Sequence, residues 1–99
     1  MKVFREPIEF EWDKGNIDKN LIVHSVRNEE CEEVFFDPSK RVLRDSVHSD
    51  KGKRYIILGK TKRQRILFIV FTIRKKKVRV ISARDLNKKE KHLYHEKKS

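Results

Sequence analysis

The chain has 99 residues, 36% of them apolar and nine aromatic, enough for one domain spanning 1–99 that buries roughly 65% of its unfolded surface. A single cysteine, Cys31, excludes an intrachain disulfide and fits a reducing compartment. "MKVFREPIEFEW" lacks the apolar stretch of a signal peptide, and the longest apolar run, Ile66 to Phe71, is too short to span a bilayer, so a soluble, cytoplasmic protein with no membrane contact is expected. The net charge of +11 is unevenly spread: residues 1–38 hold five Lys/Arg against ten Asp/Glu, a balance of −5, whereas residues 39–99 hold 21 against five, a balance of +16. Charge runs are often solvated faces, but a basic lobe segregated in this way attracts polyanions and points to nucleic acid.

In chain order, "IEFEWD" at 8–13 alternates Ile8, Phe10 and Trp12 with Glu9, Glu11 and Asp13, the period of a half-buried strand. "NIDKNLIVHSV" predicts a helix with Asn16 as N-cap and Ile17, Leu21 and His24 on one face. "NEECEEVFFDP" predicts a second helix, with Asn28 as N-cap, glutamates in the first turns, Cys31, Val34 and Phe35 on its apolar face, and Asp37-Pro38 as its stop. Residues 40–47 read as an edge strand and 48–53 as a loop. Residues 54–61 and 65–73 read as strands around a basic turn at Lys62-Arg63-Gln64, the second apolar on both faces and therefore central. "KKKV", 75–78, is a tight turn leading into the strand "VRVISA", so the sheet is an antiparallel meander. From Asn87 a helix follows, polar nearly all round and anchored by Leu93, which suits an element that docks on a partner.

Candidate chemistry is sparse. His24, His48, His92 and His95 are scattered and one cysteine cannot complete a structural zinc cluster, so no metal site is expected. Glycines at 15, 52 and 59 are too dispersed for a phosphate loop, and no cofactor is expected. No helix-turn-helix signature offers direct reading of DNA sequence. His24 on an apolar stripe reads as a packed or capping residue, whereas His48, beside Ser49, is either a proton-transfer residue or a turn residue.

The informative stretch is "TIRKKKVRVISARD", 72–85, in which Arg74, Arg79 and Arg84 are threaded through strand-forming residues. A guanidinium does not deprotonate, and burying it unpaired is costly. Arg79 and Arg84 have opposite parity, so they share a face only if the strand ends or bulges near Ser82. Arg74 and Arg79 flank a turn and can meet across neighbouring strands. Such a pair is a fork for phosphate oxygens, or else it is paired with Glu9, Glu11 or Asp13 of the first strand.

Taken together, "FEWD" at 10–13, His24 followed by Val26, "EEVFFDP" at 32–38, "HS" at 48–49, Arg54 before "ILG", and Thr72-x-Arg74 with Arg79-x-Ile81-Ser82-Ala83-Arg84, Glu90 and Tyr94 resemble the BrnT family of bacterial type II toxins. The resemblance runs from about Phe10 to Tyr94. It departs from the family pattern at Val23-His24-Ser25-Val26, where Lys-His-Gly-Val is common, and at Gln64, where a glycine usually precedes the arginine.

The resemblance implies a ribonuclease with a RelE-like α+β fold: a small antiparallel sheet, two N-terminal helices packed on it and a C-terminal helix. It also implies a cognate BrnA-like antitoxin, assembly as a heterotetramer, and operator DNA binding only through that antitoxin. Metal-independent cleavage of RNA by its own 2′-hydroxyl, with inhibition of translation, suits these residues, because the protein then has only to position the strand, neutralise phosphorane charge and move protons. On this reading Arg74, Arg79 and Arg84 bind phosphate and stabilise the transition state, with His48 and Tyr94 as candidates for proton transfer. Arg54, Lys62, Arg63, Arg65, Lys75, Lys76 and Lys77 are assigned to RNA contact. The alternative is a non-catalytic basic nucleic-acid-binding module or co-repressor subunit.

Overall fold

In the computed structural model, residues 7–45 and 53–95 are described. They form α1 (Lys19–His24), α2 (Asn28–Val34), β1 (Arg41–Asp45), β2 (Arg54–Lys60), β3 (Ile66–Arg74), β4 (Lys77–Asp85) and α3 (Lys91–His95). The strands make one antiparallel sheet in the order β1-β2-β3-β4, with β1 at an edge and β3 central. This is the expected α+β meander, with two N-terminal helices and one C-terminal helix. No helix among the described residues is long and apolar enough to cross a membrane.

Alternation along the strands sorts side chains to two faces. Ile57, Leu67, Ile69, Phe71, Val78, Val80 and Ala83 point to one face and meet Val26, Cys31, Val34 and Phe35 from the α2 region. Phe35 stands edge-on to both Phe10 and Phe71, at centroid distances of 5.2 and 5.0 Å, the arrangement ring quadrupoles favour. Helix α2 approaches β2 so closely that a Cβ on Gly59 would lie 2.6 Å from Val34 Cγ1 and 2.9 Å from the Val34 carbonyl oxygen. Leu58, Leu86 and Tyr94, with Ile56, Ile66, Phe68 and Leu93, form a smaller cluster on the other face beneath α3. Among the described residues α3 covers only one end of that face, and the other end carries the arginines.

Several expectations need correction. The 8–13 stretch keeps its alternation, with Ile8, Phe10 and Trp12 against the core, but it pairs with β4 at one point, Phe10 with Val78. Glu11 N–H donates to the Val78 carbonyl and Val78 N–H to the Glu9 carbonyl, both at 2.8 Å, after which Asp13 N–H turns aside to Asn16 Oδ1. Helix α1 does not bury its apolar stripe: Ile17 and Leu21 are 45% and 44% exposed, and the neighbouring Ile22 and Val23 are more exposed still. Asn16 and Asn20 face the sheet instead, because the outer edge of β4 needs hydrogen-bond partners more than contacts. Asn16 Nδ2 donates to the Val80 carbonyl (3.1 Å) and to that of Glu11 (2.9 Å), and Asn20 Oδ1 accepts from Ala83 N–H (2.9 Å).

The caps also shift. Asn16 is therefore not a cap, and α1 starts after Asp18. Arg27 rather than Asn28 stands at the N-cap of α2, its N–H held by Glu30, while Asn28 Nδ2 reaches back to Asp18 Oδ1 at 2.9 Å. The last helix begins at Lys91, not Asn87. Residues Asn87 and Glu90 exchange side-chain to N–H bonds at 3.1 and 2.9 Å and form a turn that leads into it, and Leu86 and Tyr94 join Leu93 as anchors.

Candidate active site

A β-bulge decides which side chains share the open face. Phe71 pairs with Val80 and Val70 with Ser82, so Ile81 is the extra residue in β4. The parity of the strand changes there. Arg79 opposite Thr72 and Arg84 opposite Phe68 consequently project from the same face, with Val78, Val80 and Ala83 on the core face. The condition set by the sequence spacing, a bulge near Ser82, is met.

At one end of this face Arg54, Arg74 and Arg79 come together with Lys53, Thr72 and Ile81 around a groove of 570 Å³. Thr72 lies opposite Arg79, and its hydroxyl donates to the Lys53 carbonyl at 2.8 Å, fixing the wall of the groove. The two-residue turn Lys75-Lys76 has both φ angles positive (53° and 67°), the twist that closes a tight antiparallel hairpin. It sets Arg74 opposite Lys77 and brings Arg74 alongside Arg79. Lys75, Lys76 and Lys77 continue the basic strip at that end.

The arginines meet carboxylates of the 8–13 stretch, the pairing the sequence left open. Arg79 grips Asp13 through both guanidinium arms, at 2.8 and 3.0 Å, and its Nη1 also reaches Glu11 Oε1 at 3.0 Å. Arg74 Nη2 lies 2.8 Å from the same Glu11 oxygen. Asp13 Oδ1 further accepts the Gly15 N–H at 2.8 Å, and a Cβ on Gly15 would come within 2.6 Å of Arg79 Nη2, so glycine is what lets the guanidinium lie there. The Arg79 fork, then the Gly15 N–H, holds the Asp13 carboxyl below the ordinary carboxylate range; the same fork raises Arg79.

Arg84 occupies the other part of the face. Its two arms bind both oxygens of Glu90 at 2.8 Å, and its guanidinium lies 4.1 Å above the Phe68 ring. The ion pair lowers Glu90 and raises Arg84. Salt bridge and cation–π contact together fix one plane of the guanidinium.

Other sequence candidates stand elsewhere. Lys62 and Arg63 lie in the β2–β3 turn beside Glu29 and Glu33, at the opposite end of β3 from Arg74, about 25 Å along a strand of this length. Arg65 is committed to the fold: it binds Asp85, the Ser25 carbonyl (2.7 Å), the His24 carbonyl (3.0 Å) and Glu30 (3.3 Å). Tyr94 donates to Asp37 Oδ2 at 2.6 Å, and burial followed by the Asp37 carboxylate pushes its phenol up to about 12. Its hydroxyl is therefore bound beneath α3, and Arg65 and Tyr94 serve as structural ties. His48 lies outside the described residues.

Of the sequence candidates, Arg54, Arg74 and Arg79 share the groove and Arg84 the same face; Lys53 was not among them, Thr72 entered only through the family pattern, and Glu11 and Asp13 only as alternative partners. The signal for the two acids was their alternation with Ile8, Phe10 and Trp12, which puts them on the arginine side once the apolar residues enter the core.

No curated protein matches the chain. A family model described as "Ribonuclease toxin, BrnT, of type II toxin-antitoxin system" matches residues 12–90, which span the arginine site and all four strands. The chain belongs to the BrnT family of ribonuclease toxins of type II toxin–antitoxin systems.

Proposed function

We propose that the chain is a single toxin domain, 1–99, that cuts RNA in the cytoplasm by metal-independent attack of a ribose 2′-hydroxyl on the adjacent phosphate. The observation that supports this most is the convergence of Arg54, Arg74 and Arg79 on one groove of the open face. Arg74 and Arg79 bind the scissile phosphate and neutralise the charge of the phosphorane, the larger part of the catalysis that a protein can supply when the nucleophile belongs to the substrate. Lys53, Arg54 and the Lys75–Lys77 strip guide the flanking phosphates. Arg84, held flat over Phe68, lies along the same face and meets the strand farther on. His48, the sequence's other candidate for proton transfer, lies outside the described residues.

A BrnA-like antitoxin, assembled with the toxin as a heterotetramer, keeps the site silent and carries the contact with operator DNA. An acidic segment of that partner would cover the arginine face. Incubating the purified protein with total RNA in excess chelator tests the reading. Fragments ending in 2′,3′-cyclic phosphate are expected. RNA that stays intact, alone and on translating ribosomes, while still binding the protein in a salt-sensitive way, would leave a non-catalytic binding module.

A further inference from the structure

Glu11 and Asp13 both face Arg74 and Arg79, but only Glu11 has an oxygen within 3.0 Å of each, and its two oxygens are used differently. Oε1 lies 2.8 Å from Arg74 Nη2 and 3.0 Å from Arg79 Nη1, whereas Oε2 has no hydrogen-bond partner among the described residues. Asp13, by contrast, is fully spent: Oδ1 takes Arg79 and the Gly15 N–H, and Oδ2 takes Arg79. One carboxylate is thus an anchor and the other is held by one edge with its second oxygen open. The backbone of Glu11 is fixed as well, since its N–H bonds to the Val78 carbonyl at 2.8 Å. The side chain is 21% exposed, against 46% for Asp13, and its Oε1 touches two of the arginines that line the groove.

We infer that Glu11 is the general base of the cleavage reaction and Asp13 a positioning residue for Arg79; this rests on the ribonuclease reading above. A phosphate that enters the groove takes guanidinium donors from Glu11 Oε1 and brings the neighbouring ribose beside the carboxylate. Glu11 accepts the 2′-hydroxyl proton as O2′ bonds to phosphorus. The P–O5′ bond then breaks, O5′ leaves as a hydroxyl with a proton drawn from solvent, and Glu11 returns its own proton to water. The products are a 2′,3′-cyclic phosphate and a 5′-hydroxyl, with no oxidant or co-reactant consumed. The charged groups that face Glu11 are Arg74 from β3, Arg79 from β4 and Asp13 of its own segment. Neither arginine loses its charge in the working range.

The experiment is single-turnover cleavage of a labelled single-stranded RNA between pH 4 and 8, beside binding of its 2′-deoxy counterpart. Glu11→Gln keeps the size and the acceptor oxygen but takes up no proton. Its rate is expected to fall on the order of 10²–10⁴-fold and to lose the rise with pH, while the 2′-deoxy strand binds at least as tightly. Glu11→Asp, which keeps a carboxylate, should retain the rise at a reduced rate. Asp13→Asn should lower the rate less and leave the profile shape unchanged. If the wild type cuts and Glu11→Gln cuts equally with the same profile, the base is another group and the ribonuclease reading stands. A wild type that yields no cyclic phosphate end sinks both.

Discussion

Arg79 and Asp13 are joined by two parallel hydrogen bonds, 2.8 and 3.0 Å, across 66 residues of sequence. The pair ties the segment before α1 to β4 and, on the proposed reading, occupies the donors that an RNA phosphate would take. Both partners border water, so the contact contributes little to stability and much to which anion the guanidinium holds.

Competition of this kind predicts that Asp13→Asn binds a non-cleavable 2′-deoxy oligonucleotide more tightly than the wild type, by roughly fivefold, about the effect of one screened charge. Fluorescence anisotropy at fixed salt measures it. Unchanged or weaker binding would mean that Asp13 does not compete with phosphate for the guanidinium.

Tyr94 gives a second prediction. Its hydroxyl is bound to Asp37 Oδ2, which also accepts the Lys60 N–H at 2.7 Å. Tyr94→Phe removes one bond from a tie between the end of α2, β2 and α3, and should cost about 1 kcal/mol in urea unfolding. The cleavage rate should not change. A loss of rate at unchanged stability would return the phenol to the chemistry.

The two departures from the family pattern fall where the backbone is left-handed: Ser25 has φ 56° and Gln64 has φ 69°. Ser25 ends α1, its N–H bonding to the Asn20 and Leu21 carbonyls. A side chain at such φ values costs roughly 1 kcal/mol that glycine avoids. Ser25→Gly and Gln64→Gly should each raise stability by up to about that amount, several degrees in Tm for a chain of about this size. Thermal unfolding followed by circular dichroism would show it.

Much of the fold was legible because it rests on period and turn chemistry. Alternation marked the strands, and Phe68 and Ile69 on opposite faces marked β3 as central. Helix α1 was misread for a physical reason. A hydrophobic period detects burial, whereas α1 is placed by Asn16 and Asn20, whose side chains satisfy the open edge of β4. The site was half legible. Arg79 and Arg84 could share a face only through a bulge, which the spacing required, but the choice of Ile81 depends on pairing with β3. The separate fates of Arg65 and Arg79 depend on which carboxylates the fold brings near, and spacing along the chain does not carry that.

Acid should unfold the protein through its paired carboxylates. Burial opposes ionisation of Asp37, but the Tyr94 hydroxyl and the Ser39 and Lys60 N–H groups outweigh it and lower the carboxyl. The Arg65 fork lowers Asp85 and the Arg84 fork lowers Glu90. Their ordinary values are 3.8 for the aspartates and 4.5 for the glutamate. A folded-state value below the unfolded one stabilises the native state above the unfolded value and is lost as pH falls through the folded one. The urea midpoint should therefore hold between pH 7 and about 5 and fall from about pH 4 downward. A midpoint unchanged to pH 3 would show that these pairs are not what holds α3 and the α1–α2 junction to the sheet.

The most direct measurement compares RNA cleavage by Arg74→Ala and Arg63→Ala. The Arg74 side chain is 53% exposed, so its removal should leave the fold intact, and Arg63 is an equally basic residue at the far end of β3. The account predicts that Arg74→Ala loses on the order of a hundredfold in rate while Arg63→Ala cuts like the wild type. Equal activity of the two, or loss in Arg63→Ala alone, would contradict an active site on the arginine face.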